Sequence, residues 1–242
     1  MAGMARDAQG KDMTAALAIF VKTPGLSPVK TRLAATLGTD DATRFYRLAA
    51  AATAAVAQSC QPPLTPYWAI AEAGPVASAA WHDFAQLEQG EGDLGERLAR
   101  IYAALQARHG RVLLIGADAP QLTPAMLLAA LAALHDTDKP FVLGEASDGG
   151  FWLFGGRVPI PSTVWLGVRY SQPDTAMQLR SALAAYGHLA TLPMLTDADN
   201  AADLPVLIQV LASLPNIMPA QRTLYDWLLA VTDHALLERT SA

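Results

Sequence analysis

Two groups of side chains in this chain have the types and spacing to handle a phosphate. The first is cationic. Lys22, Lys30 and Arg32 stand in or beside a loop, residues 23–32, whose backbone is restricted by Pro24, Gly25 and Pro28. Point charges and a planar guanidinium suit a diphosphate. The loop is not a P-loop: Val29 stands where a glycine must precede the lysine, and Pro28 has no N–H to give. Any phosphate here would be met by side-chain charge. The plain alternative is a solvated loop carrying lysines.

The second group is acidic. Asp118 closes the run Arg111 to Pro120 (RVLLIGADAP), in which Val112 to Ile115 predict a strand buried on both faces of a parallel sheet. Ligands bind at the carboxyl edge of such sheets, so Asp118 is placed for chemistry; otherwise it caps the turn before Pro120 and the helix that Thr123 and Pro124 announce. Asp148, with Glu145 three residues before it, follows another strand, and Gly149 and Gly150 either let the backbone approach a ligand or make a tight turn. Carboxylates without histidine or cysteine beside them favour a hard cation, Mg²⁺ or Mn²⁺. In Gln89 to Arg97 (QGEGDLGER), Asp93 can cap a helix whose first turn carries Arg97, within reach of an anion at the helix start. The plain alternative is a glycine-rich turn with an exposed arginine. Asp197-Ala-Asp199 reads either as a second acid near a metal or as a capped loop.

These side chains need a frame to bring them together, and the pattern of the chain supplies one. Strands are expected at Ala15 to Val21, Tyr67 to Ala71, Phe84 to Leu87, Val112 to Ile115, Pro140 to Gly144, Phe151 to Phe154 and His188 to Leu192. Between them, helices are expected from Thr39 to before Pro62, from Leu94 through Leu105, through Leu127 to Leu134, and from Pro173 to about Tyr186. Two more follow Asp203 and Thr223. This alternation predicts a parallel sheet with helices on both faces. At 242 residues and 52% hydrophobic, the chain reads as a flexible leader over 1–13 and a single domain over 14–242.

A net charge of −5 argues against nucleic acid or an anionic membrane as partner. No apolar run reaches the roughly eighteen residues of a membrane span. Cys60 is the sole cysteine, which fits a reducing, cytoplasmic setting, and the five histidines lack metal-ligand spacing. Trp227 in the last helix either closes the core or meets a second copy, which leaves a homodimer open.

Five motifs in order resemble a known family: Lys22-Thr-Pro-Gly with Val29-Lys-Thr-Arg-Leu33, Asp93-Leu-Gly-Glu-Arg97, Ile115-Gly-Ala-Asp-Ala-Pro120, Leu143-Gly-Glu-Ala-Ser-Asp-Gly-Gly150 and Asp197-Ala-Asp199. The family is that of bacterial glycosyltransferase-like proteins associated with arsenosugar and selenium-related gene clusters. It is distantly similar to the guanylyltransferases of phospholactate and molybdenum cofactor synthesis. The resemblance implies the GT-A type nucleotide-diphospho-sugar transferase fold, a Rossmann-like αβα sandwich with a mostly parallel sheet. It implies that Lys22, Pro24, Gly25, Lys30, Arg32, Arg97 and Gly116 hold nucleotide phosphates, and that Asp118 is the metal-binding acid. Asp148, with Glu145 second, is the expected base, and Gly149, Gly150, Tyr170 and Ser171 lie on the acceptor side. The chain departs from the pattern in having Asp118-Ala-Pro120 rather than Asp-x-Asp, and Tyr170-Ser171 where the family usually has tryptophan and a small hydroxyl residue.

The activity implied is glycosyl transfer from a nucleotide sugar to a small-molecule acceptor, with a divalent metal. The alternatives are nucleotidyl transfer with release of pyrophosphate, and a nucleotide-binding module without catalysis.

Overall fold

The computed structural model describes residues 14–240, and side chains as far as residue 232. The expected leader over 1–13 lies outside the described residues. In chain order the elements are β1 (Ala15–Val21), α1 (Thr31–Leu37), α2 (Thr39–Ser59), β2 (Leu64–Ile70), α3 (Pro75–Ala80), β3 (Ala85–Glu88), α4 (Leu94–His109) and β4 (Val112–Gly116). They continue with α5 (Pro124–Ala133), β5 (Phe141–Ala146), β6 (Phe151–Gly156), α6 (Ser162–Leu166), α7 (Thr175–Leu183), β7 (Leu189–Leu195), α8 (Leu204–Ser213) and α9 (Pro219–Thr240).

Among the described residues the strands form one sheet in the order β3-β2-β1-β4-β6-β5-β7. All neighbours are parallel except β6, which runs antiparallel to both β4 and β5. The inner strands are apolar on both faces because both faces are covered, while the edge strands β3 and β7 are partly exposed. Alternate residues of β1 divide between two clusters: Leu17 and Ile19 pack with α2, α3 and α5, while Ala16 and Ala18 pack with α4, α6 and α7. Val112 to Ile115 are all buried, and each branched side chain removed from water there is worth about 1.5–3 kcal/mol. A third cluster gathers α1, α2, α8 and α9 around Phe45, with Trp227 against it at 6.3 Å between ring centroids. Trp227 thereby closes the core. No helix among the described residues is long and apolar enough to cross a membrane.

The sheet is thus a Rossmann-like αβα sandwich, mostly parallel, as the sequence and its resemblance lead one to expect. Three short helices, α1, α3 and α6, were not expected: at five to seven residues they are too short for a helical period to show. The larger difference is β6. It returns from β5 through the turn 147–150 and inserts between β4 and β5, so Asp118 and Asp148 do not follow adjacent parallel strands. They still share one edge, because an antiparallel strand begins where its parallel neighbours end.

The turn that starts β6 requires Gly149. Its φ is +87°, and a Cβ there would overlap the Pro173 carbonyl oxygen, while its own carbonyl accepts from Ala176 N at 2.9 Å. The backbone does come close to a neighbour at this glycine, and the neighbour is the start of α7. Gly149→Ala should therefore destabilise the protein by about 2–4 kcal/mol in urea unfolding; a loss under about 0.5 kcal/mol would show that the turn and α7 are not locked together.

Candidate functional site

The carboxyl edge of the sheet receives the ends of β1, β4 and β7, and three side chains from the segments after them meet there. Lys30 Nζ lies 3.0 Å from Asp118 Oδ2 and 2.8 Å from Asp199 Oδ1. Arg32 adds a longer contact, Nη1 to Asp199 Oδ2 at 3.6 Å. The lysine side chain is 4% exposed and both carboxylates are 40% exposed, so the ammonium is enclosed while the acids face outward. Lys30 immediately precedes α1 with a left-handed backbone (φ 44°, ψ 47°), a conformation that costs a non-glycine residue on the order of 1 kcal/mol. The ion pairs and the nearby Phe45 ring, 6.0 Å from Nζ, hold it there.

Each arm of this triad is braced by the chain around it. After β1, Lys22 N donates to Tyr46 Oη at 2.9 Å, and Thr23 N donates to Glu72 Oε2 at 2.7 Å. Leu26 N and Ser27 N both donate to Thr23 O, closing a turn in which Pro24 and Gly25 form the corner. After β4, Gly116 leaves the room that Asp118 fills: a Cβ on Gly116 would stand 2.7 Å from Asp118 Oδ1. Gln221 of α9, 1% exposed, donates to Pro120 O and Leu122 O at 2.8 Å, and Gln121 donates to Thr196 O at 2.7 Å. The last of these ties the Asp118 loop directly to the Asp197–Asp199 turn. That turn is closed by Asp203 Oδ2, which accepts from Asp199 N and Asn200 N at 2.9 Å each.

Beside the triad opens a cleft of about 700 Å³. Lys22, Lys30, Arg32, Arg97, Gly116, Asp118 and Ser171 line it, so these seven expected residues come together. Pro24 and Gly25 shape the first turn without lining the cleft. Arg97 is aimed by Nε donating to Gly92 O at 3.0 Å, on a helix whose start is fixed by the reciprocal Asp93 and Glu96 capping bonds. Tyr170 is half-buried, with its hydroxyl donating to Trp165 O at 3.2 Å. Asp148 is exposed at the hairpin tip, where Oδ1 accepts from Gly150 N at 2.9 Å. Glu145 pairs with Arg180 Nη2 at 2.5 Å, which draws it toward α7 and away from the cleft lining.

The sequence singled out neither Tyr46 nor the buried Gln89 as a site residue, and it left the role of Asp199 open. Gln89 Nε2 donates to Ala69 O at 2.8 Å and Val21 O at 3.3 Å, pinning the ends of β1 and β2. Its place directly after a strand was the available signal. Tyr46 sits inside a helix pattern and gave none.

The charges in the site shift one another. Burial opposes ionisation of Asp118, but the Lys30 charge and hydrogen bond outweigh it and hold the carboxyl below its usual range. Burial also works against the Lys30 ammonium, yet Asp118 and Asp199 together raise it above the ordinary lysine range. Burial keeps the Tyr46 phenol protonated well above its usual range. Asp197 is pushed up to about 7, first by burial, then by Asp118, with Asp148 and Asp199 adding and Lys30 opposing. As metal donors, the acids offer the all-oxygen chemistry that Mg²⁺ or Mn²⁺ takes, and two of them face the cleft. Among the described residues, however, no three acidic, histidine or cysteine side chains converge into a ready-made metal site.

The raised Asp197 has a stability consequence. Unfolded, it ionises near pH 4; folded, it keeps its proton to about pH 7, so in that window the native state binds the extra proton and stability falls as pH rises. Asp197→Asn should leave stability unchanged below pH 4 and raise it at pH 8, by on the order of 1–2 kcal/mol after solvent screening. Chemical denaturation at both pH values checks this; equal stabilisation at each would contradict it.

Comparison with known proteins is consistent with this architecture. A provisional nucleotide-diphospho-sugar transferase from Desulfovibrio desulfuricans G20 superposes with a TM-score of 0.79 at 24% identity, covering 91% of this chain and 97% of that one. A cytidylyltransferase from Leptospira borgpetersenii serovar Hardjo-bovis superposes with a TM-score of 0.53 at 9% identity, over 91% and 95% of the two chains. A CMP:2-keto-3-deoxy-manno-octonic acid synthetase complexed with CTP gives 0.51 at 12% identity, over 82% and 98%. At these identities the likeness is one of fold. No protein of curated function matches the chain by sequence. Residues 46–172, from α2 through the Tyr170 segment and just over half of the chain, match one family model, and the protein belongs to that family, described as uncharacterized proteins conserved in bacteria (DUF2064).

Proposed function

We propose that the protein is a transferase that moves a sugar from a nucleotide-diphosphate donor to a small-molecule acceptor. One observation carries this reading: Lys22, Arg32 and Arg97 line the same cleft as the enclosed Lys30, at the carboxyl edge of a Rossmann-like sheet. Its volume of about 700 Å³ lies within the range of small-molecule sites. Side-chain cations brought to one cleft by separate segments suit the two phosphates of a nucleotide sugar.

In the reaction, an acceptor hydroxyl oxygen bonds to the anomeric carbon as the bond from that carbon to the diphosphate oxygen breaks. The nucleoside diphosphate leaves with the electron pair. Its charge is the main thing to be stabilised, and Lys22, Arg32 and Arg97, which line the cleft, would meet it. The hydroxyl proton passes to a carboxylate. Asp148 at the hairpin tip is the candidate: like Glu145 it lies outside the cleft lining, but its charge acts on Asp197 beside the triad, whereas Glu145 is engaged by Arg180. A divalent cation would have Asp118 and Asp199 as its oxygen donors and would supply further charge at the diphosphate. Ser171, in the cleft lining, is the residue assigned to the acceptor side, while the hydroxyl of the adjacent Tyr170 is engaged by Trp165 O.

Nucleotidyl transfer is the second reading, favoured by the fold shared with the cytidylyltransferase and with the synthetase complexed with CTP. The same cations would then stabilise departing pyrophosphate. The products separate the two. Incubation with a panel of nucleotide sugars and small hydroxyl acceptors should release free nucleoside diphosphate; pyrophosphate from nucleoside triphosphates would select the second reading, and thermal stabilisation by nucleotides without turnover would leave only a binding module. Lys22→Met with Arg32→Met should weaken nucleoside diphosphate binding about tenfold or more, measured calorimetrically. Asp118→Asn should lower turnover at least about 100-fold, and normal activity would remove Asp118 from the mechanism.

A further inference from the structure

We propose that the Lys30 ammonium and a divalent cation are alternative occupants of the gap between Asp118 and Asp199, so that Lys30 must leave these carboxylates before an ion can use them. The distances require a choice. Nζ already stands 3.0 and 2.8 Å from one oxygen of each acid, and Arg32 approaches the other oxygen of Asp199. A hard divalent ion needs carboxylate oxygens at about 2.0–2.6 Å, which would bring two like charges onto the same oxygens. The acids are also organised around the lysine rather than around an ion, since among the described residues no third acidic, histidine or cysteine side chain joins them closely enough to complete a metal site.

Lys30 is able to leave. Its backbone is fixed at the start of α1, but its four-carbon stem is flexible, and the residue already lines the cleft with Lys22 and Arg32. An ammonium displaced from the acids therefore turns toward whatever anion the cleft holds. This second half rests on the nucleotide-diphosphate reading; the competition itself does not. Lys30 is in these terms a positioning residue in the free protein and a phosphate ligand in the loaded one.

The test is Mn²⁺ binding by the full chain without nucleotide, read as the loss of free Mn²⁺ signal in electron paramagnetic resonance. Lys30→Gln should bind Mn²⁺ roughly tenfold tighter or more than the wild type. Lys30→Arg, which keeps the charge, should bind as weakly as the wild type, and adding Asp118→Asn to Lys30→Gln should remove the gain. Equal affinity of wild type and Lys30→Gln overturns the proposal. Should Lys30→Gln fail to fold, Lys30→Met repeats the comparison, and equal Mn²⁺ affinity of Lys30→Met and the wild type overturns the proposal. Micromolar binding by the wild type or by Lys30→Arg, lost on Asp118→Asn, also overturns it. Because nucleotide is absent, a failed competition and a failed nucleotide screen are separate results.

Discussion

The ammonium of Lys30, shared by Asp118 and Asp199, is the contact on which the site depends, because it is where the charges of three separate segments of the chain meet. Lys30 belongs to the segment after the first strand and Asp199 lies 169 residues further on, beyond the last. Two like-charged carboxylates facing one cleft would repel each other and resist burial. The lysine removes that repulsion while its own charge stays enclosed, and the neighbouring acid that receives less of this compensation, Asp197, holds its proton to about neutral pH. The left-handed backbone at Lys30 is the local cost of aiming a long side chain inward from a proline-restricted loop.

Around this contact the fold supplies rigidity in proportion to need. The Asp118 carboxylate is held by the charge and hydrogen bond of Lys30 and by its own backbone N–H, and the loop that carries it is fastened by amide side chains from two directions, Gln221 to the following residues and Gln121 to the Asp197–Asp199 turn. The free ends of β1 and β2 are pinned by Gln89. These are buried amides whose hydrogen bonds serve positioning more than stability, since each is worth only about 1 kcal/mol net. By contrast the exposed cations Lys22 and Arg32 have few partners and keep their charge available to a ligand. The protein is acidic overall, so this concentration of positive side chains in one hollow is a local feature rather than a reflection of composition.

Most strands were legible because a strand buried on both faces reads as an unbroken apolar run, as in Val112 to Ile115. The direction of β6 was not. A four-residue turn followed by an apolar run is compatible with a hairpin or with a strand inserted elsewhere, and only the partner on its far side, β4, settles it. In the site, the charged residues were visible by type, in the loop after the first strand, in the first turn of a helix and at a strand end, and Lys30, Arg32, Arg97 and Asp118 do converge. Their pairing was not visible, since nothing local in residues 28–32 announces a carboxylate from residue 199. The same limit applies to Glu145: Arg180 is 35 residues away, on the face of a helix where arginine is unremarkable. Family resemblance supplied the order of the motifs but not the contacts among them.

Whether this cleft seats a diphosphate against side-chain cations is decided most directly by a crystal structure of the protein grown with a nucleoside diphosphate. Both phosphates should lie inside the hollow, with oxygens within hydrogen-bond distance of Lys22 and Arg32. A nucleotide bound on another face, or in the cleft with its phosphates turned out to solvent and those two side chains untouched, would contradict that seating.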